Sequence, residues 1–128
     1  MSSFEQKYCI GSKDGKHKVF WNITALLKDL QNAAFMADNR NVADLITHND
    51  FYGDPEYAMK TDVKCPCIVV VLSDGFEKLI DGNHRLFKAS QLKLQIIPCY
   101  VLPFDYHKKF IVDYDSDIYE KVIADFRG

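Results

Sequence analysis

The densest run of chemistry-bearing residues in the sequence is Leu79-Ile-Asp-Gly-Asn-His-Arg-Leu-Phe-Lys-Ala89. An apolar stretch stops at Ile80, Gly82 permits a turn that a Cβ would obstruct, and a helical pattern begins at once. Asn83 is a natural cap, which puts His84 and Arg85 in the first helical turn. A helix start presents backbone N–H groups and the positive end of the dipole, so it favours an anion. Arg85 adds a planar fork of donors matched to phosphate, and His84 adds a further donor. Asp81 supplies a carboxylate able to accept a proton or hold a cation beside a phosphate. The chemistry assembled is phosphate binding by Gly82, Asn83, His84 and Arg85, with Asp81 as the candidate catalytic group. The plain reading of the same letters is an Asp-Gly turn, a capped helix and a solvated arginine.

Other chemical patterns are weaker. Cys65-Pro-Cys67 has one residue between its cysteines, where a zinc knuckle or redox motif has two, and no second pair follows. Asp113-Tyr-Asp-Ser-Asp117 starts like a calcium loop. Its sixth position is Ile118 where Gly is needed, and its twelfth is Ala124 where Glu is needed. Helix capping by Asp115, Ser116 or Asp117 explains that run better. His17, His48 and His107 are scattered and read as surface or packed histidines. No Gly-x-Ser-x-Gly or Walker element occurs. Trp21, Phe51, Tyr52 and Tyr57 are of a type that stacks on a base, though such residues more often fill a core. The Phe51–Tyr57 stretch mixes aromatics, Gly53 and acids, and is the best lid candidate.

The elements that must position the run are legible. Gln6–Ile10 and His17–Trp21 flank a turn with an Asp-Gly pair, a hairpin signal. Asn22 or Thr24 caps a helix to about Phe35, with Leu26, Leu27, Leu30, Ala33 and Ala34 at helical spacing. Ala37–Arg40 reads as a polar break, and Val42 to about His48 as a second helix. Asp54-Pro55 opens a short helix to Lys60. Cys67–Leu72 is a β-branched strand buried on both faces; Ser73-Asp-Gly75 turns it into a partner, Glu77–Ile80. The helix from about His84 to Leu92 follows. Ile96–Leu102 is a further strand, whose Pro98 implies an edge or a bulge. Asp117 with Glu120 has the form of a capping box before the stripe Ile118, Val122, Ile123 and Phe126. The pattern is α+β.

Composition bounds the answer. With 128 residues, 48% hydrophobic and 27% charged, the expectation is one globular domain spanning residues 1–128. The net charge of −2 lacks the basic surplus that a phosphate-tracking nucleic-acid binder usually carries. No apolar run approaches the roughly 18 residues of a membrane-crossing helix. Met1–Ile10 has no apolar core of signal-peptide type, so the expected compartment is the cytoplasm and Cys9, Cys65, Cys67 and Cys99 are expected as free thiols, with Cys9, Cys67 and Cys99 acting as small hydrophobes in strands.

Ile68 to Leu102 resembles the core of the ParB/sulfiredoxin superfamily. There a strand, an Asp-Gly turn and a Gly-x-[His/Arg]-Arg element open a helix, and a strand with Ile-Pro follows. The matching residues are Ile80-Asp81-Gly82-Asn83-His84-Arg85, then Lys88-Ala89, then Ile96-Ile97-Pro98; upstream, Asn39-Arg40 and Ala43-Asp44-Leu45 echo the early ParB box. The resemblance implies a ParB/sulfiredoxin-like α+β fold, a small mixed sheet packed with helices, and a nucleotide at the turn. That nucleotide is ATP in sulfiredoxins and CTP in ParB proteins. The departures matter. Sulfiredoxins use Gly-Cys-His-Arg, and Asn83 stands where their nucleophilic cysteine would be, which argues against repair of oxidised peroxiredoxin. ParB proteins use Gly-Glu-Arg-Arg, and here Asn83 and His84 replace the middle pair. The stretch after Leu102 is short and acidic for a DNA-reading domain. Free serine kinases share the fold and use carboxylates as base and metal ligand, a part Asp81 is able to play.

Two function classes follow. One is nucleotide or phosphate-ligand binding with phosphoryl transfer or phosphoester hydrolysis, Mg²⁺ offsetting the phosphate charge and Asp81 as base or metal-linked group. The other is a non-catalytic nucleotide-sensing or DNA-associated module of a plasmid, phage or other mobile element.

Overall fold

The computed structural model describes residues 5–49 and 53–128. In chain order the elements are strands β1 (Lys7–Gly11) and β2 (Lys18–Asn22), helix α1 (Ile23–Leu30), strand β3 (Asp38–Asn41), helices α2 (Val42–Thr47) and α3 (Pro55–Ala58), strands β4 (Cys67–Val71) and β5 (Glu77–Asp81), helix α4 (Asn83–Gln91), strand β6 (Ile96–Leu102), helix α5 (Phe104–His107), a 3₁₀ turn (Lys108–Phe110) and helix α6 (Ser116–Arg127). This is a mixed α+β protein with a two-stranded and a four-stranded sheet among its described residues. No helix among them is long and apolar enough to cross a membrane. The chain packs as two compact units: Met1–Ala34 with Phe104–Gly128, and Phe35–Pro103.

In the first unit β1 and β2 pair antiparallel from Lys7↔Asn22 to Gly11↔Lys18, the expected hairpin. Asn22 caps α1 by accepting from the Ala25 amide at 3.0 Å. The helix ends at Leu30, short of Phe35. Ala33 is only partly covered and Ala34 is exposed, so extending the helix would bury little. Asp115 caps α6, accepting from the Ile118 amide at 3.0 Å, two residues before the expected Asp117. Capping thus accounts for this aspartate of the calcium-like run. Trp21 and His107 are both fully buried, and the indole N–H donates to His107 Nδ1 at 3.1 Å. Trp21 therefore belongs to the core and is not a base-stacking surface. His107→Leu should strand that buried N–H and lower stability by about 1–3 kcal/mol. Thermal unfolding of His107→Leu, Trp21→Phe and the double variant checks this: the double loss should be smaller than the sum of the singles.

The second unit holds the sheet β3-β6-β4-β5. β4 pairs antiparallel with β5 and parallel with β6, so the three strands expected to share a sheet do so, with α4 packed against it. Cys67, Val69, Leu79, Leu86, Ala89, Ile97 and Cys99 form its core with Val42 and Leu45 of α2. The polar break at Ala37–Arg40 is in fact β3, paired with β6 from Asp38↔Cys99 to Asn41↔Ile96. Pro98 lies in an inner strand, contrary to the edge expectation. The parallel ladder to β4 begins only at Cys99, so β6 is still one-sided at the proline.

Candidate functional site

β5 ends at Asp81 and α4 begins at Asn83, so the predicted site residues fall on a strand–turn–helix junction. The cap is Gly82 and not Asn83. Its φ of 103° and ψ of 20° lie where side chains are disfavoured, and its carbonyl accepts from the Leu86 amide at 2.8 Å, opening the helix. Gly82 makes no side-chain cap. In contrast α1, α2, α3 and α6 are capped by the side chains of Asn22, Asn41, Asp54 and Asp115. The α4 start is thus built differently from those of the other capped helices: its anion-favouring end carries no side-chain oxygen from the cap residue.

Beneath the turn lies Cys67, whose sequence setting is that of a small hydrophobe in a strand beside a Cys-Pro-Cys run. A Cβ on Gly82 would stand 2.5 Å from Cys67 Sγ, 2.8 Å from Cys67 Cβ and 3.1 Å from Arg85 Nη2. Glycine is required by space as well as by backbone angle. Cys67 is fully buried, and its Sγ donates to the Gly82 carbonyl at 3.7 Å. Its thiol is held below the ordinary range, chiefly by the neighbouring Cys99 thiol and also by the Arg85 guanidinium, against the opposing effect of burial.

Arg85 turns back onto the strand end, and its Nη2 meets Asp81 Oδ2 at 3.2 Å. Both side chains are mostly covered, and Arg85 Nε is buried without a hydrogen-bond partner. Asp81 is therefore the anion that Arg85 holds in this structure. The pair brings the two predicted charges together, but with the carboxylate on the guanidinium.

His84 is taken up by the loop before α3. A Cβ on Gly53, whose φ is 146°, would stand 2.7 Å from His84 Nε2, and Tyr57 meets the imidazole edge-on at 5.0 Å between centroids. Tyr57 remains 56% exposed, an aromatic surface beside the turn. Asp54 caps α3 as expected, and Lys88 Nζ donates to the Thr61 carbonyl at 2.6 Å, tying the end of this segment to α4. Of the candidate lid stretch, Gly53 and Tyr57 thus lie against His84; Phe51 and Tyr52 lie outside the described residues.

Away from this junction, a concavity of about 200 Å³ is lined by Arg40, Asp44, His48, Phe76 and Glu77 among others. Its arginine is committed. Arg40 meets Glu77 at 2.7 and 3.3 Å and Asp38 at 2.8 Å, and these acids raise its pKa further. Cys65 is exposed while Cys67 is buried, so the Cys-Pro-Cys run does not converge on one point; Cys9 is exposed too, against the expectation of a packed residue.

No family model, curated protein or solved structure matches this chain.

Proposed function

We propose that the chain is a ParB/sulfiredoxin-like protein that binds a nucleotide or another phosphate-bearing ligand at Asp81-Gly82-Asn83-His84-Arg85. The observation that carries this reading is the start of α4: a left-handed glycine with no side-chain cap, beside an arginine whose Nε is buried and without a partner. A phosphate oxygen supplies the acceptors such an end lacks. Asp81 marks where negative charge is already accepted, and an incoming phosphate would compete with it for Arg85. Tyr57 favours a nucleotide over inorganic phosphate, since its half-exposed ring is beside the turn and suits a base.

The engagement of Asp81 by Arg85 favours binding over catalysis. In the catalytic alternative, phosphoryl transfer or phosphoester hydrolysis, the ligand draws Arg85 away and Asp81 becomes available as base. Mg²⁺ would then enter on the phosphates, with Asp81 as the carboxylate of the turn that would meet it. Four free thiols, two of them exposed, suit a reducing compartment such as the cytoplasm. The reading as a nucleotide-sensing or DNA-associated module of a mobile element needs the same site without turnover.

The test is a thermal-shift screen against ATP, CTP, their nucleosides and tripolyphosphate, with and without Mg²⁺. A ligand at 100 times its Kd should add about 2.7 kcal/mol of stability. Stabilisation by nucleotide and by tripolyphosphate, but not by nucleoside, is expected. No shift with any phosphate compound would remove the proposal. Release of labelled phosphate from a stabilising nucleotide would decide for the enzyme.

A further inference from the structure

We propose that Cys67 and Cys99 form an oxidation site, a buried dithiol that a hydroperoxide converts to a disulfide beneath the Gly82 turn. The two residues are direct partners in the parallel ladder between β4 and β6. Neighbouring strands run about 4.8 Å apart, inside the roughly 4.4–6.8 Å that a disulfide spans between Cα atoms. Direct partners in a ladder point to the same face, and both cysteines belong to one apolar cluster with Leu86 and Ala89 of α4. Both are fully buried, while Cys9 and Cys65 are exposed. The proposal does not depend on what binds at the turn.

The environment assigns the roles. The Cys67 thiol is eased toward the thiolate by the neighbouring Cys99 thiol and by the adjacent Arg85. Cys67 and the Arg85 guanidinium both border Gly82, whereas the Cys99 thiol donates to the Ile97 carbonyl at 3.6 Å, and its neighbour Cys67 together with burial pushes it up. The cation beside Cys67 makes it the nucleophile and Cys99 the resolving thiol. Cys67 sulfur attacks one peroxide oxygen and the O–O bond breaks; Cys67 becomes a sulfenic acid and one water leaves. Cys99 sulfur then attacks Cys67 sulfur, the S–O bond breaks, and a second water leaves with the Cys99 proton. Two thiols lose two electrons and hydrogen peroxide gains them. Burial selects the oxidant: hydrogen peroxide is small enough to reach the pair through local opening, and glutathione disulfide is not. The product has no S–H to donate to the Gly82 carbonyl, so oxidation alters the support of the α4 start.

Cys9→Ser/Cys65→Ser removes the exposed thiols and leaves the core untouched. This protein is treated with hydrogen peroxide, blocked with iodoacetamide under denaturing conditions, digested and weighed. The expected result is loss of both free thiols, a cross-linked Cys67–Cys99 peptide lacking two hydrogens, and return of both thiols on reduction with dithiothreitol. In the same background Cys99→Ala should leave Cys67 as a sulfenic acid trapped by dimedone, and Cys67→Ala should leave Cys99 unlabelled. Recovery of Cys67 and Cys99 both alkylated, with no cross-link, would overturn the proposal. So would preferential trapping of Cys99, or dominance of a Cys65–Cys67 link in the unsubstituted protein. The double-serine protein carries the test even where an alanine variant fails to fold.

Discussion

Gly82→Ala should be the most damaging small substitution in the second unit. A left-handed backbone costs an L-residue roughly 1–2 kcal/mol. The new Cβ would also press on Cys67 Sγ and Cβ at 2.5 and 2.8 Å, both buried and neither the loose end of a long side chain. Overpacking of that kind typically costs a further 1–3 kcal/mol or so. The sum, about 2–5 kcal/mol, should lower the melting temperature on the order of 10 °C. The sulfur's share separates experimentally. Gly82→Ala with Cys67→Ala removes the contact with Sγ and leaves the Cβ contact and the backbone cost, so the double variant should lose less than the sum of the singles. Additive losses would mean that the α4 start shifts to accept the methyl group and that Cys67 does not support it. Ligand binding should fall with the turn geometry, because the amides of the helix start are aimed by this residue.

Much of the frame was legible because its signals are local. The β-branched run after Cys67, the Ser73–Gly75 turn and the stripe of Leu86 and Ala89 each specify an element within a few residues. Asn22 and Asp54 cap where their chemistry says they should. What stayed hidden depends on pairing between distant segments. Asp38–Asn41 is a polar stretch with no alternation, and it becomes a strand only because β6 offers an open edge. Cys67 looked like strand filler. Its position under Gly82 comes from a register shift between Ile68 and Val69, which sets Ile68 against Asp81 where an unbroken hairpin would set Cys67 there. The Asp81–Arg85 pair was within reach of the sequence. The two are four residues apart across a turn into a helix, and opposite charges at that spacing meet often.

The Asp81 carboxylate decides what substitutions at the site should do. Arg85→Ala should weaken nucleotide binding by roughly 1.5–3 kcal/mol, the scale of a charge-assisted hydrogen bond, or about 10- to 100-fold in Kd. The sequence alone places Arg85 toward the ligand, with little effect on stability. The structure changes that expectation, since Arg85 covers Gly82, neighbours Cys67 and pairs with a mostly buried Asp81. Its removal should therefore also cost stability, on the order of 1 kcal/mol, as Asp81 is left without its cation. Arg85→Lys keeps the charge but not the planar fork, and should recover only part of either loss. Asp81→Asn separates binding from stability. It cuts the internal anion loose from Arg85, so affinity for a nucleotide should rise even as the fold weakens slightly. If Asp81 serves catalysis, turnover should fall in the same variant. Isothermal titration and thermal unfolding on the three variants give the two readouts independently. Equal affinity in Arg85→Ala and the unsubstituted protein, with the fold intact, would leave Asp81 as the only anion Arg85 was built to hold.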